Sequence, residues 1–249
     1  SLGLKGYVKN LGNEIEILID IYSNNFLEEL KKNLPPLANI SEVEVYENEV
    51  KREDFEIVKS SEGERESSTI PVDTAICSDC LEEMNTSRDK RENYAFINCT
   101  NCGARYSAIY SLPYDREKTT MDDFPMCESC KREYENPVDR RFHAQTTSCP
   151  ECGPYYTLYN SKREKIGGID EFCELIESGE IGVAKSWGGM HIICKLSVIP
   201  DLRRKYGRDE KPFALMMPDV ETVKKYAVVE REDVLKGPRR PIMIYNKKD

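Results

Sequence analysis

Eight cysteines between positions 77 and 152 carry the clearest chemistry in the chain. They form four Cys-x-x-Cys pairs: Cys77/Cys80, Cys99/Cys102, Cys127/Cys130 and Cys149/Cys152. The intervening residues number 2, 18, 2, 24, 2, 18 and 2, so each cysteine of the first half returns 50 positions later. A pair at this spacing grips one tetrahedral ion from a tight turn, and a second pair closes the shell. Four pairs therefore predict two all-thiolate sites in a duplicated module. Soft sulfur ligands and a tetrahedron point to zinc. Grouping along the chain puts Cys77, Cys80, Cys99 and Cys102 on one ion and Cys127, Cys130, Cys149 and Cys152 on the other. Spacing alone leaves an interleaved pairing open. A shell closed by four cysteines has no position for substrate, so both ions are expected to be structural. They would supply folding energy to a stretch with too few apolar residues for its own core.

Competing uses of cysteine fit less well. Disulfides belong to secreted chains, and a redox Cys-x-x-Cys normally occurs once, near a βαβ pattern. Thiolates held on metal suit a reducing cytoplasm, the expected compartment. No apolar run approaches the roughly 20 residues that a membrane span requires. With 36 Lys and Arg against 45 Asp and Glu, the net charge is -9, which works against broad nucleic-acid binding. The 249 residues, 39% hydrophobic, allow two or three small domains. The chain opens on Ser1-Leu2-Gly3 and stops at Asp249, just after a strand-like run. Both ends read as cuts through domains, and a piece of something longer is expected.

The elements around the cysteines divide into two patterned regions. Leu4 to Val8 predicts a short strand. Ile15, Ile17, Ile19 and Ile21 alternate with Glu14, Glu16, Leu18 and Asp20, the period of a strand with one buried face. Phe26, Leu27, Leu30 and Leu34 predict a helix from Asn24, ended by Pro35-Pro36. Val43 with Val45, and Phe55 to Val58, predict two more strands. Ser60 to Ser68 is polar, aperiodic and linker-like. Beyond the cysteines, Ile169, Phe172, Cys173 and Ile176 predict a helix stopped at Gly179. Ile181 to Ala184 reads as a buried strand and Leu202 to Tyr206 as a second helix. Phe213 to Met217 reads as a strand, Asp219 to Tyr226 as a helix and Pro241 to Tyr245 as a strand. That alternation predicts an α/β domain. Cys173 and Cys194 stand outside the Cys-x-x-Cys frame and read as small core residues.

Gly6-Tyr7-Val8-Lys9-Asn10 with the Gly12-Asn13 turn resembles acylphosphatase. The resemblance implies that Asn10 positions an attacking water. Its arginine partner, in a phosphate-binding loop, would precede Ser1, so isolated acylphosphatase activity is not expected. Around the cysteines the words are more specific. Asn98-Cys99-Thr100-Asn101-Cys102-Gly103, Tyr114-Asp115-Arg116, Phe124-Pro125-Met126-Cys127 and Asp139-Arg140-Arg141-Phe142-His143 lead to Cys149-Pro150-Glu151-Cys152-Gly153-Pro154. This stretch resembles the zinc-finger region of the HypF carbamoyltransferases, which mature nickel-iron hydrogenases. Gly103 and Gly153 each follow a second knuckle, where glycine permits a positive φ and lets amides face the sulfurs. His143 reads as a structural or domain contact rather than a ligand, and Arg140 with Arg141 as an exposed surface pair.

The last region is similar to the YrdC-like domain that follows the fingers in that family. Lys185-Ser186-Trp187-Gly188-Gly189-Met190-His191 and Lys205 to Pro212 resemble its phosphate-binding words, as does Gly237-Pro238-Arg239-Arg240-Pro241-Ile242. Lys185, Lys205, Arg208 and Lys211 are the cations that could offset phosphate charge. Gly188 and Gly189 could let amides approach an anion. The chain departs from the family pattern at Ser186, Lys195, Tyr206 and Gly237.

The resemblances together imply a multi-domain α+β chain. A truncated ferredoxin-like, acylphosphatase-like domain covers 1–62, the tandem zinc-finger module 63–160 and a partial YrdC-like nucleotide-binding domain 161–249. They imply two structural Zn2+ here, and ATP with Mg2+ for a full-length enzyme. That enzyme takes carbamoyl phosphate, forms carbamoyl-adenylate and carbamoylates the C-terminal cysteine of a HypE-like acceptor protein. A zinc-dependent module binding protein or RNA, without its own catalysis, is the alternative. The acidic net charge disfavours its RNA form.

Overall fold

The computed structural model describes residues 3–11, 14–22, 24–49, 51–58, 71–112 and 114–248. Gly6–Asn10 (β1) and Ile15–Ile19 (β2) form an antiparallel pair with Gly6 opposite Ile19 and Asn10 opposite Ile15. Phe55–Val58 (β3) joins β1 in parallel, which gives the order β2-β1-β3. Helix α1 (Asn24–Lys32) half-buries Phe26, Leu27 and Leu30. Their spacing places them on one face. Val43 and Val45 alternate as a strand should, yet 40–49 forms no strand pairing among the described residues and Val45 is 55% exposed. Alternation marks a strand face, but an edge with free backbone groups must also be within reach. The linker-like Ser60 to Ser68 lies outside the described residues.

The middle of the chain is built differently. Apart from helices α2 (Ser78–Asn85) and α3 (Glu128–Glu135), it consists of turns, including tight helical turns at Tyr106–Ala108 and Arg116–Lys118. Nevertheless, among the described residues every fully buried apolar side chain except Leu202 lies here. Five of them are cysteines, and Arg91, Asn98, Thr119, Arg141, Thr146, Thr147 and Ser148 are buried beside them. An interior this rich in polar groups is stable only if those groups are paired.

The last region begins with a small hairpin, Leu158–Tyr159 (β4) with Lys165–Gly167 (β5). Helix α4 (Ile169–Ser178) starts where the Glu171 carboxylate accepts a hydrogen bond from Gly168 N at 2.7 Å, and it ends at left-handed Gly179. Its inner face carries Phe172 and Ile176, which crowd Gly182 of the next strand. Cys173 therefore points elsewhere and is exposed, and Cys194 is only half-buried; neither is a core residue. Gly182–Lys185 (β6) and Met190–Ile193 (β7) pair antiparallel. As a two-stranded ribbon β6 leaves Val183 54% exposed, not buried as its apolar run suggested. Helices α5 (Ile199–Tyr206), α6 (Val220–Tyr226) and α7 (Glu232–Lys236) follow. Phe213 to Met217 and Pro241 to Tyr245 form no strand; Met216 is 95% and Ile244 94% exposed. Both runs have strand composition, but among the described residues no strand pairs with them.

Candidate metal centres

Each Cys-x-x-Cys pair sits in a turn that turns two thiols inward. Cys77 caps the N-terminus of α2 and Cys127 that of α3, each in extended conformation. Cys80 and Cys130 follow one turn inside those helices, fully buried. A helix start is a favourable place for a thiolate, because unpaired amides and the helix dipole face it. The other two pairs close on themselves: Cys102 N donates to Cys99 O at 3.3 Å, and Cys152 N donates to Cys149 O at 3.1 Å.

The eight sulfurs gather into two groups of four, Cys77, Cys80, Cys99 and Cys102 in one and Cys127, Cys130, Cys149 and Cys152 in the other. The Sγ···Sγ distances are 3.7 Å for Cys77–Cys99 and 3.8 Å for Cys99–Cys102. In the second group they are 3.8 Å for Cys127–Cys149 and for Cys149–Cys152, and 3.6 Å for Cys130–Cys152. These are far from the roughly 2.05 Å of a disulfide. A zinc ion about 2.3 Å from four tetrahedral sulfurs requires edges of about 3.8 Å. The donor set and its geometry thus fit two structural zinc ions, whose charge would hold the thiols as thiolates.

Gly103 has φ +95°, and a Cβ there would stand 2.5 Å from Asn98 Cβ. Gly153 does not take a positive φ. It is confined by space instead, with Tyr94 Oη 2.1 Å and Ser148 Cβ 2.5 Å from where a Cβ would be. The two knuckles are therefore not identical, because Tyr94 and Ser148 (Oη···Oγ 3.0 Å) fill the second. Burial pushes the Tyr94 hydroxyl up to about 12, so it stays a neutral hydrogen-bonding group.

Arg140 and Arg141 are not a surface pair. Arg141 is 3% exposed and Arg140 22% exposed, and both pair with the Glu83 carboxylate on α2. Arg140 Nη1 also lies 2.9 Å from Cys80 Sγ. Fifty residues earlier Lys90 and Arg91 behave alike: both pair with Glu133 on α3, and Lys90 Nζ lies 3.1 Å from Cys130 Sγ. Burial pushes Glu83 and Glu133 up, but the guanidinium hydrogen bonds outweigh it and hold both carboxyls below their ordinary value. The repeated basic pair, at the same offset as the cysteines, was the available signal for this arrangement.

His143 is exposed, with φ 52°, its ring against Tyr134 and Phe142 and its amide donating to Tyr134 O. It lines a small cleft with Arg105, Tyr114 and Gln145 and belongs to neither sulfur group. Asn10 ends β1, opposite Ile15. Lys185, Gly188 and Gly189 lie on the β6–β7 hairpin, closed by Ser186 N donating to Gly189 O at 2.7 Å. Lys205 lies in the last turn of α5, and Arg208 and Lys211 lie in the segment after it. Among the described residues no hydrogen bond or ion pair joins the hairpin cations to that segment. Arg203, which sequence reasoning passed over, organises the segment: its Nη1 donates to the carbonyls of Arg208, Asp209 and Lys211 at 2.9 to 3.1 Å. Its guanidinium also lies over the Phe213 ring. The hairpin touches the cysteine module, where Trp187 packs edge-on to Phe96 with centroids 5.6 Å apart.

Comparison with known proteins finds three family matches along the chain. Residues 76–109 and 126–159 match the HypF finger family, one stretch for each sulfur group. Residues 1–57 match acylphosphatase, and 174–249 match the family described as telomere recombination, which covers YrdC-like domains. The chain is 46% identical, over 98% of its length, to a probable carbamoyltransferase HypF of Methanocaldococcus jannaschii. It is 40% identical, over 99%, to carbamoyltransferase HypF2 of Cupriavidus necator. It superposes on the crystal structure of T. kodakarensis HypF with a TM-score of 0.88 and 44% identity, covering 99% of this chain and 33% of that one. A full-length HypF in phosphate- and nucleotide-bound form gives a TM-score of 0.86 and 41% identity over 98% of this chain. The chain spans about a third of the length of the curated relatives it matches, 34% and 32% for the two named.

Proposed function

We propose that this chain, HypF-type along nearly all of its length, is part of a carbamoyltransferase of nickel-iron hydrogenase maturation that works in the cytoplasm. The observation that carries the proposal is the similarity along the chain, 46% identity over 98% of its length, with both sulfur groups inside the matched fingers. In this reading residues 1–62 belong to an acylphosphatase-like domain, 63–160 to the zinc module and 161–249 to a YrdC-like domain. The zinc module is scaffold: a closed sulfur shell offers no open position for a reacting group.

The chemistry is assigned to the flanking regions and to the longer protein. Carbamoyl phosphate enters at the acylphosphatase-like domain, where Asn10 orients water. Carbamate then attacks the α-phosphate of ATP, held with Mg2+, and releases pyrophosphate. The carbamoyl group passes from carbamoyl-adenylate to the C-terminal cysteine thiol of a HypE-like acceptor, releasing AMP. Lys185, Lys205, Arg208 and Lys211 counter the phosphate charge, and the Gly188-Gly189 turn admits backbone amides to an oxygen. The closed hairpin and the Arg203 clasp support this reading, since both hold such groups on short, braced loops. Tyr206, 59% exposed at the end of α5, leaves Lys205 as the neighbouring cation. The test is carbamate-dependent exchange of pyrophosphate into ATP by the longer protein, folded and zinc-loaded. Exchange that falls in Lys185→Ala supports the assignment; no exchange at all removes it.

A further inference from the structure

The two repeats exchange their cations. Arg91 of the first repeat donates from Nε to Ser148 O at 2.8 Å, and Arg141 of the second donates from Nε to Asn98 O at 3.1 Å. Arg91 pairs with Glu133, and Arg141 with Glu83. Lys90 Nζ stands 3.1 Å from Cys130 Sγ, and Arg140 Nη1 stands 2.9 Å from Cys80 Sγ. Arg91 Nη2 is 3.4 Å from Cys130 Sγ, and Arg141 Nη2 is 4.0 Å from Cys80 Sγ. In every case the donor and its acceptor lie in different repeats, and each contact recurs 50 residues on with the roles reversed. The arrangement is that of a two-fold interface between two copies, written within one chain.

Charge explains what the exchange does. Four thiolates around a dication leave a net double negative charge in a site whose sulfurs are mostly buried. Within the first repeat the Asn101 amide donates to Cys99 Sγ at 3.3 Å, but among the described residues none of its cationic side chains is bonded to these sulfurs, and the charged residues of α2, Asp79, Glu82 and Glu83, are all anions. The positive charge comes from the other repeat, and Glu83 serves to hold Arg140 and Arg141 in place. Glu133 holds Lys90 and Arg91 in the same way; α3 also carries Lys131 and Arg132, but among the described residues the cations bonded to Cys130 Sγ are Lys90 and Arg91.

We propose that the two zinc centres are completed in trans. Lys90 and Arg91 of the first repeat stabilise the thiolate charge of the Cys127–Cys130–Cys149–Cys152 centre. Arg140 and Arg141 of the second do the same for the Cys77–Cys80–Cys99–Cys102 centre. The four are positioning and charge-compensating residues, not ligands. Each repeat then depends on the other for metal retention as well as for packing.

The test uses the zinc-loaded chain, challenged with a chelator and iodoacetamide, with alkylation followed cysteine by cysteine by peptide mass spectrometry. Lys90 and Arg140 are the residues to change, because they are 27% and 22% exposed while Arg91 and Arg141 are buried. Losing such an outer partner typically costs 10–100-fold in metal affinity. Arg140→Gln is expected to speed alkylation at Cys77, Cys80, Cys99 and Cys102 by about 10-fold or more relative to the other four. Lys90→Gln is expected to do the reverse, and Arg140→Lys, which keeps the charge, to fall nearer the parent. Both sets accelerating together, acceleration confined to the substituted residue's own repeat, or no change would each overturn the proposal.

Discussion

Replacing Gly103 with alanine tests how tightly the first knuckle is defined. Two costs are legible in the structure. At φ +95° a Cβ faces the preceding backbone, which costs about 1–2 kcal/mol for an L-residue. The same Cβ would sit 2.5 Å from Asn98 Cβ. Asn98 has little room to yield, because its amide donates to Phe96 O at 3.0 Å and Thr146 O at 2.9 Å, and it is 3% exposed. Such overpacking typically costs about 1–3 kcal/mol, and together the two reach about 2–5 kcal/mol. Metal binding is coupled to folding in sites of this kind, so the loss should appear in zinc affinity. At 1.4 kcal/mol per factor of ten, it corresponds to weakening by about 30-fold or more. Competition against a graded series of chelators would measure it. An affinity within threefold of the parent would refute the reasoning, since both the backbone strain and the clash would then be absent.

Other perturbations reach different parts of the structure. Arg91→Met strips Glu133 and the Ser148 carbonyl of a buried donor, and should lower stability by about 3–5 kcal/mol, read from denaturant unfolding of the zinc-loaded chain. An effect under about 1 kcal/mol would mean that the buried pair is not formed. Trp187, the single tryptophan, packs on Phe96, which lies against the Cys80–Cys99–Cys102 cluster. Chelation should therefore shift its emission to the red, and Phe96→Ala should produce most of that shift with zinc still bound; unchanged emission on zinc loss contradicts the contact. The acid response has a defined sign. The folded carboxyl of Glu83 titrates below its unfolded value of about 4.3, so its stabilisation is complete above that pH and is lost as pH falls through the lower folded value. The stability gap between the parent and Glu83→Gln should accordingly be widest near neutrality and narrow in acid. A gap that widened in acid would reverse the assignment.

The metal centres were the most legible part of the sequence, because spacing alone carries their geometry. Cys-x-x-Cys fixes a local turn, and a 50-residue repeat says that the turn is used twice. Helices α1, α4, α5 and α6 were also legible, since their apolar spacing and stops at Pro35 or Gly179 are local signals. The failures share one physical cause. Val43–Val45, Phe213–Met217 and Pro241–Tyr245 have strand composition, but pairing depends on an edge elsewhere in the chain, and composition does not report that. Arg140 and Arg141 depart from the surface reading for a related reason. A basic pair is ordinarily solvated, and its burial follows from Glu83 and Cys80, some 60 residues away. Comparing each repeat with its own copy would have shown Lys90-Arg91 and Glu133 in matching places. Cys173 reads as a core residue but is exposed, because Phe172 and Ile176 already supply the packing of α4 against Gly182.

The central claim is that two closed four-sulfur zinc centres organise the chain. Metal content by mass spectrometry on protein purified without added metal, with thiols titrated before and after chelation, tests it most directly. The account predicts two zinc ions per chain. Cys173, which is exposed, and Cys194, which is half-buried, should react before chelation, and the eight thiols of the two sulfur groups only afterwards. Metal-free protein whose ten thiols all titrate at once, or whose eight are already joined as disulfides, would contradict it.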